Sequence, residues 1–273
     1  MNIQTVLKLS RPRFWIYLIG PYLIALAAAG VRPDLLVILF GLYLSLPANL
    51  LIYGINDIFD HETDKLNPKK QNYEELLEQK SASRLVWLIS LLNVPFLILF
   101  FLNLPLAASL WLVVFLITGI GYSAPPIRAK AKPILDSIFN ILYVAPGFAI
   151  YSAVSGQTPP LAAIVAATLW CMAMHAYSAV PDIAADKASQ TPTIATLFGK
   201  PVTLLLCGLA YGLAAVITTG LLGWIALIGG VVYLGLIGLS LRTRQNSELF
   251  RLYRLFPYVN TLLGAGLFFA VIY

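Results

Sequence analysis

The sequence predicts an all-α integral membrane protein with nine transmembrane helices. Three observations carry this. Hydrophobic residues make up 59% of the 273 and charged residues only 11%, a composition no soluble domain needs. The apolar residues fall in runs of about 17 to 22, the length that crosses a bilayer as a helix. Finally, 17 of the 18 Lys and Arg residues lie at the N-terminus or after every second run, which leaves Arg32 alone on the other side. By the positive-inside rule the N-terminus is then cytoplasmic, and an odd number of spans puts the C-terminus on the opposite face.

The spans are expected near 14–30, 35–56, 85–102, 106–121, 134–153, 161–180, 201–220, 222–240 and 254–272. Residues 1–273 read as a single transmembrane domain. The net charge of +6 is mostly the orientation signal, with some attraction to anionic membrane lipid, and is not a nucleic-acid signature. Cys171 and Cys207 sit inside apolar runs, so neither a disulfide nor a zinc framework is expected. Residues 1–10 run into the first span with no cleavable-signal pattern. There Ser10 reads as an N-cap, Pro12 as a first-turn proline, and Arg11, Arg13 and Trp15 as interfacial anchors.

The second run ends in Asn56-Asp57-Ile58-Phe59-Asp60-His61-Glu62-Thr63-Asp64. If the helix continues, Asp57, Asp60 and Asp64 stand at i, i+3 and i+7, on one face. Such an acidic cluster is either a solvated cap paired with the lysines that follow, or a site for a hard divalent ion. An oxygen-only set suits Mg2+, which shares its shell with a substrate's phosphates. The sixth run ends in Pro181-Asp182-Ile183-Ala184-Ala185-Asp186, where Asp182 and Asp186 are i, i+4. Two acid-tipped helices favour the second reading, with metal ions and a diphosphate held between them. Their recurrence in second and sixth place hints at two four-helix units.

Other polar residues stand on the same elements. Asn49 lies two turns before Asn56, and Tyr53 one turn before Asp57, either as a partner of the site or as part of the aromatic belt. Lys69 and Lys70 follow the first motif, and Tyr73 to Lys80 has the pattern of a short amphipathic lid. The loop Tyr122-Ser123-Ala124-Pro125-Pro126-Ile127-Arg128-Ala129-Lys130-Ala131-Lys132 is stiffened by proline and sets three cations at alternate positions, an arrangement that suits a diphosphate. Asp136 and Asn140 open the fifth span, and His175 lies seven residues before Asp182. Gly208 and Gly212 have small-xxx-small spacing, a possible helix contact.

The two aspartate motifs, Arg11-Pro12-Arg13 and the Tyr122 to Lys130 loop together resemble the UbiA-type intramembrane prenyltransferases, from the first span to the sixth. The resemblance implies a helical bundle around a central cavity, with Mg2+ bridging both motifs to a prenyl diphosphate and transfer of the prenyl group to a lipophilic acceptor. It implies Asp57, Asp60, Asp64, Asp182 and Asp186 as metal ligands. Of these, Asp57, Asp60, Asp182 and Asp186 carry catalysis. Asn56, Lys69, Tyr122, Arg128 and Lys130 are then the substrate-binding residues.

Where many quinone-forming members place Arg-Pro after the first motif, this chain has Asn67-Pro68-Lys69-Lys70. With Leu135-Asp136-Ser137 this resembles the lycopene elongase branch, in which dimethylallyl diphosphate would extend a carotenoid end. Asp136, Asn140 and His175 are then the candidates for handling the last proton. An aromatic quinone precursor or a chlorophyll-type acceptor remains the alternative. A transporter is disfavoured because its ionisable groups would sit near the midplane rather than at helix ends.

Overall fold

The computed structural model describes residues 2–64 and 81–272, with the side chains of residues 62–64 outside that set. Lys69 and the expected lid over residues 73–80 therefore lie outside the described residues, as does the side chain of Asp64. Among the described residues the fold is all-helical. In chain order the helices are α1 (Ile3–Leu9), α2 (Ile16–Ala29), α3 (Leu35–Tyr43), α4 (Leu46–Asp64), α5 (Ala82–Asn103), α6 (Leu106–Ser123) and α7 (Leu135–Ile138). The rest are α8 (Ala145–Ser155), α9 (Leu161–Ala179), α10 (Ile183–Ala188), α11 (Ile194–Leu222), α12 (Trp224–Arg242) and α13 (Asn246–Ile272).

Seven stretches of helix are long and apolar enough to cross a membrane, and two bent pairs bring the described spans to nine. The chain is a multi-pass integral membrane protein. The bent pairs are the first span, which turns by 55° between residues 3–14 and α2, and the fifth, which turns by 42° before α8. Broken helices survive in a bilayer only where side chains take up the released backbone groups. The second span illustrates this: Pro47 interrupts the ladder between α3 and α4, and Asn49 donates to Leu44 O at 2.8 Å and Ser45 O at 2.7 Å. Asn93 of α5 donates to Pro47 O at 3.1 Å across the same break. The polar Asn49 thus serves the kink.

Ser10 departs from the expectation. It closes α1, its hydroxyl donating to Leu7 O at 2.7 Å, and the unexpected helix α1 lays Val6 and Leu9 against α4. A residue before proline is pushed out of the α region. Arg11 accordingly adopts a left-handed conformation (φ 51°), and the chain turns through Pro12–Phe14 into α2. The helix α11 also starts ahead of the expected seventh span, at Ile194, with the Thr193 side chain as its cap. A kink at Gly199 (φ 72°), just before Pro201, separates this entry turn from the span itself.

Two cores form. The first joins α1–α6 and α8; the second joins α9 and α11–α13. The sequence hinted at two four-helix units; the first large core takes in the first five spans and the second the remaining four. Within the first, α2 and α8 approach so closely that a Cβ on Gly147 would lie 2.8 Å from Pro21 O. In the second, the tight point between α11 and α12 is Gly230 against Ala215. Gly208 makes ordinary contact there, whereas a Cβ on Gly212 would meet nothing within 4 Å, so the small-xxx-small expectation fails at Gly212. Polar side chains tie the cores together: Trp170 donates to Tyr233, Tyr233 to Asn260 and Asn260 to Tyr17, at 2.8, 2.6 and 3.1 Å. Cys171 and Cys207 are free and buried.

Candidate active site

Between the two cores lies a cavity of about 270 Å³. Its mouth is formed by the ends of the second and sixth spans. From α4 come Asn56 and Asp60; from the other side come Asp182 and Asp186, with Lys130 from the proline loop and Arg11 from the first turn. The helix α4 runs through the first motif as the spacing requires. The second motif does so only in part, because Pro181 tightens Val180–Asp182 into a 3-10 turn before α10 resumes. Both its aspartates nevertheless line the cavity.

The carboxylates are held by cations and donors from other elements. Arg11 Nη2 donates to Asp57 Oδ1 at 2.8 Å, and its guanidinium lies 4.6 Å from the centre of the Tyr53 ring. Lys130 pairs with Asp60 Oδ1. Asn56 Nδ2 donates to Asp60 Oδ2 and, at 2.9 Å, to Ser123 Oγ. Asp186 Oδ2 accepts from Thr193 Oγ1 at 3.3 Å, so the cap of α11 also braces the second motif. Asp57 is 1% exposed and stands behind the cavity wall against Arg11.

Below the mouth the walls are aromatic. Phe14, Tyr17, Tyr53, Tyr122, Tyr143 and Phe256 line the cavity, and the Tyr53 and Tyr143 hydroxyls meet at 3.1 Å. Tyr53 is therefore part of the site's framework rather than of an interfacial belt.

Of the residues the sequence singled out, the structure brings Asn56, Asp60, Tyr122, Lys130, Asp182 and Asp186 to one cavity. Asp57 stands just behind it. The three loop cations do not act alike: Lys130 reaches the cavity, Lys132 does not line it, and Arg128 stands back in a left-handed conformation (φ 41°). Arg128 Nε is buried with no hydrogen-bond partner among the described residues. Arg11, which the sequence offered as an interfacial anchor and as part of the family resemblance, lines the cavity and meets Asp57. Its position before a proline was the available signal, since that pair forces a turn where the first span meets the motifs.

The donor set is hard oxygen from carboxylates and an amide, the chemistry Mg2+ takes. Among the described residues no three acidic, His or Cys side chains converge tightly enough to enclose a metal alone. That is compatible with an ion completed by phosphate oxygens.

The sequence profile of the UbiA prenyltransferase family matches residues 14–271. This chain belongs to that family. It is an enzyme that transfers prenyl groups. The lycopene elongase/hydratase of Haloferax volcanii is 39% identical over 267 residues, covering 94% of this chain and 84% of that protein. The lycopene elongase/hydratase of Halobacterium salinarum is 38% identical, covering 94% and 92%. A UbiA homolog from Archaeoglobus fulgidus, solved bound to GPP and Mg2+, shares the fold at TM-score 0.74 and 21% identity, covering 98% of this chain and 99% of the other.

Proposed function

We propose that residues 1–273 act as one Mg2+-dependent prenyltransferase domain that joins the dimethylallyl group of dimethylallyl diphosphate to the end of a linear carotenoid such as lycopene. The observation that carries this is the cavity itself, with facing carboxylates and cations at its mouth and aromatic walls below. Asp60, Asp182 and Asp186 would hold Mg2+, with Asp57 and Asp64 completing the motif and Asn56 orienting Asp60. Once bound, Mg2+ offsets the negative charge that grows on the leaving diphosphate. Lys130, Arg11 and Arg128 add fixed positive charge around the same group, and Lys69 and Tyr122 complete the set proposed to bind substrate. Arg128 Nε, buried and without a hydrogen-bond partner among the described residues, supports an anion there. Breaking the allylic C–O bond leaves a cation that water would quench. Tyr17, Tyr53, Tyr143 and Phe256 give it an aromatic, water-excluding wall.

For the acceptor, the support is the likeness to the two lycopene elongase/hydratases, together with cavity size. About 270 Å³ is at the low end of ordinary ligand pockets, so a long polyene would place only its end inside and leave the remainder in lipid. The test supplies dimethylallyl diphosphate and Mg2+ with lycopene, then separately with hydroxybenzoate, dihydroxynaphthoate and chlorophyllide. Extended carotenoid is the expected product. Product from an aromatic acceptor or chlorophyllide, with none from lycopene, ends the carotenoid assignment.

The motif end of the bundle is proposed to face the cytoplasm and the C-terminus the opposite side, on the partition of basic residues. A topology reporter fused after Ser189 should read cytoplasmic and one fused after Gly156 should read the other face. The reverse pattern sinks this orientation.

A further inference from the structure

We infer that His175 takes the proton released after the new carbon–carbon bond forms, with Asp136 as the residue that positions and supports it; this rests on the carotenoid acceptor proposed above. The C–O bond of the donor breaks with its electron pair going to the diphosphate. The acceptor's terminal alkene then uses its π pair to bond the allylic carbon, which leaves a tertiary cation on the acceptor. Two balanced routes discharge it. Loss of a proton from a neighbouring carbon gives an alkene, and capture of water followed by loss of a proton gives a tertiary alcohol. Either route delivers one proton, and an apolar cavity needs a base to receive it.

His175 lines the cavity on α9, seven residues before Asp182. At about 1.5 Å of rise per residue this sets it roughly 10 Å deeper than the second motif. It therefore lies away from the carboxylates that face the diphosphate. Its Nε2 is buried without a hydrogen-bond partner among the described residues and stands 3.6 Å from Asp136 Oδ2, too far for a hydrogen bond. Asp136 is itself fully buried and fixed by two backbone donors, Ser137 N on Oδ1 and Ile194 N on Oδ2, each at 2.7 Å. Those bonds join the fifth span to the start of α11 and leave the carboxylate unable to turn into the cavity. What it offers is a fixed oxygen 3.6 Å from the imidazole, which holds the ring's place at the cavity wall.

The other polar groups here are poorer bases. Asn140 lines the cavity as an amide whose Nδ2 donates to Asp136 O at 2.6 Å. Tyr122 meets the His175 ring edge-on, with centroids 5.7 Å apart, and a phenol is a weak acceptor of protons.

The test uses the full chain in liposomes with lycopene, dimethylallyl diphosphate and Mg2+, and compares the parent with His175→Gln and His175→Ala. Diphosphate release, total extended carotenoid and the ratio of alkene to alcohol are measured. Both variants should release diphosphate yet form about tenfold less extended product per diphosphate, or shift the alkene-to-alcohol ratio by that factor. Added imidazole should return His175→Ala towards the parent. Unchanged yield and ratio in both variants would mean that the leaving diphosphate or solvent takes the proton, and would overturn the role. A loss that imidazole does not restore, accompanied by a lower unfolding temperature, would assign His175 to packing and also overturn it. If the parent prenylates hydroxybenzoate and ignores lycopene, the acceptor reading falls and this role falls with it.

Discussion

Replacing Asp60 or Asp182 by Asn should lower kcat for prenyl transfer by about 10²–10³ in each case, the scale seen when one preorganised contact to developing charge is removed. Asn keeps the size and loses the anionic oxygen. Asp60 and Asp182 come from opposite sides of one cavity, so both changes weaken the grip on the same diphosphate. The double variant should therefore fall well short of the product of the two single effects. Turnover against Mg2+ concentration checks the assignment, since either variant should need more metal to reach its own maximum. Because Asp60 pairs with the partly buried Lys130, unfolding temperatures must be followed in parallel. Parental turnover in both variants, or undiminished turnover in chelator, would be incompatible with the metal-binding role.

Arg11→Ala should destabilise the protein by about 3–5 kcal/mol when Mg2+ is chelated, because it takes away a cation bonded to a buried carboxylate. Asp57 is 1% exposed and accepts from Arg11 at 2.8 Å. The substitution also removes the guanidinium stacked 4.6 Å above Tyr53. Arg11→Lys keeps the charge but loses the planar fork and the stacking surface, so it should fall between parent and Arg11→Ala. Combining Arg11→Ala with Asp57→Ala removes both charges and should recover part of the loss, which a double-mutant cycle measures. Thermal unfolding in detergent is the readout. If Arg11→Ala lies within about 0.5 kcal/mol of the parent, the change behaves as an ordinary surface substitution, and Arg11 returns to the anchoring role the sequence implied.

Much of the site was legible because its residues are local to helix ends. Asn56, Asp60, Asp182 and Asp186 are spaced by helical periods along two spans, and those spacings alone put each set on one face. Lys130 was legible because prolines stiffen its loop. Arg11 was not, since an arginine at the start of a first span is ordinarily an interfacial anchor and its partner Asp57 lies 46 residues away. Asp136, His175 and Asn140 were recognised as polar residues in apolar runs. Nothing in their spacing indicated that Asp136 would be fixed by the backbone of Ile194, 58 residues on, while His175 would line the cavity.

By itself the sequence determined the membrane class, the nine spans found among the described residues and the placing of both aspartate motifs at one end of the bundle. These follow from hydropathy, charge and helical period, which are properties of short stretches of chain. The tertiary structure alone decided which cation meets which carboxylate, which aromatic rings wall the cavity and which large core the fifth span joins. In a soluble helix the polar face marks the outside. Here the lipid-facing and core-facing sides are both apolar, so periodicity does not reveal how each helix is rotated, and only packing against its neighbours sets what its side chains meet.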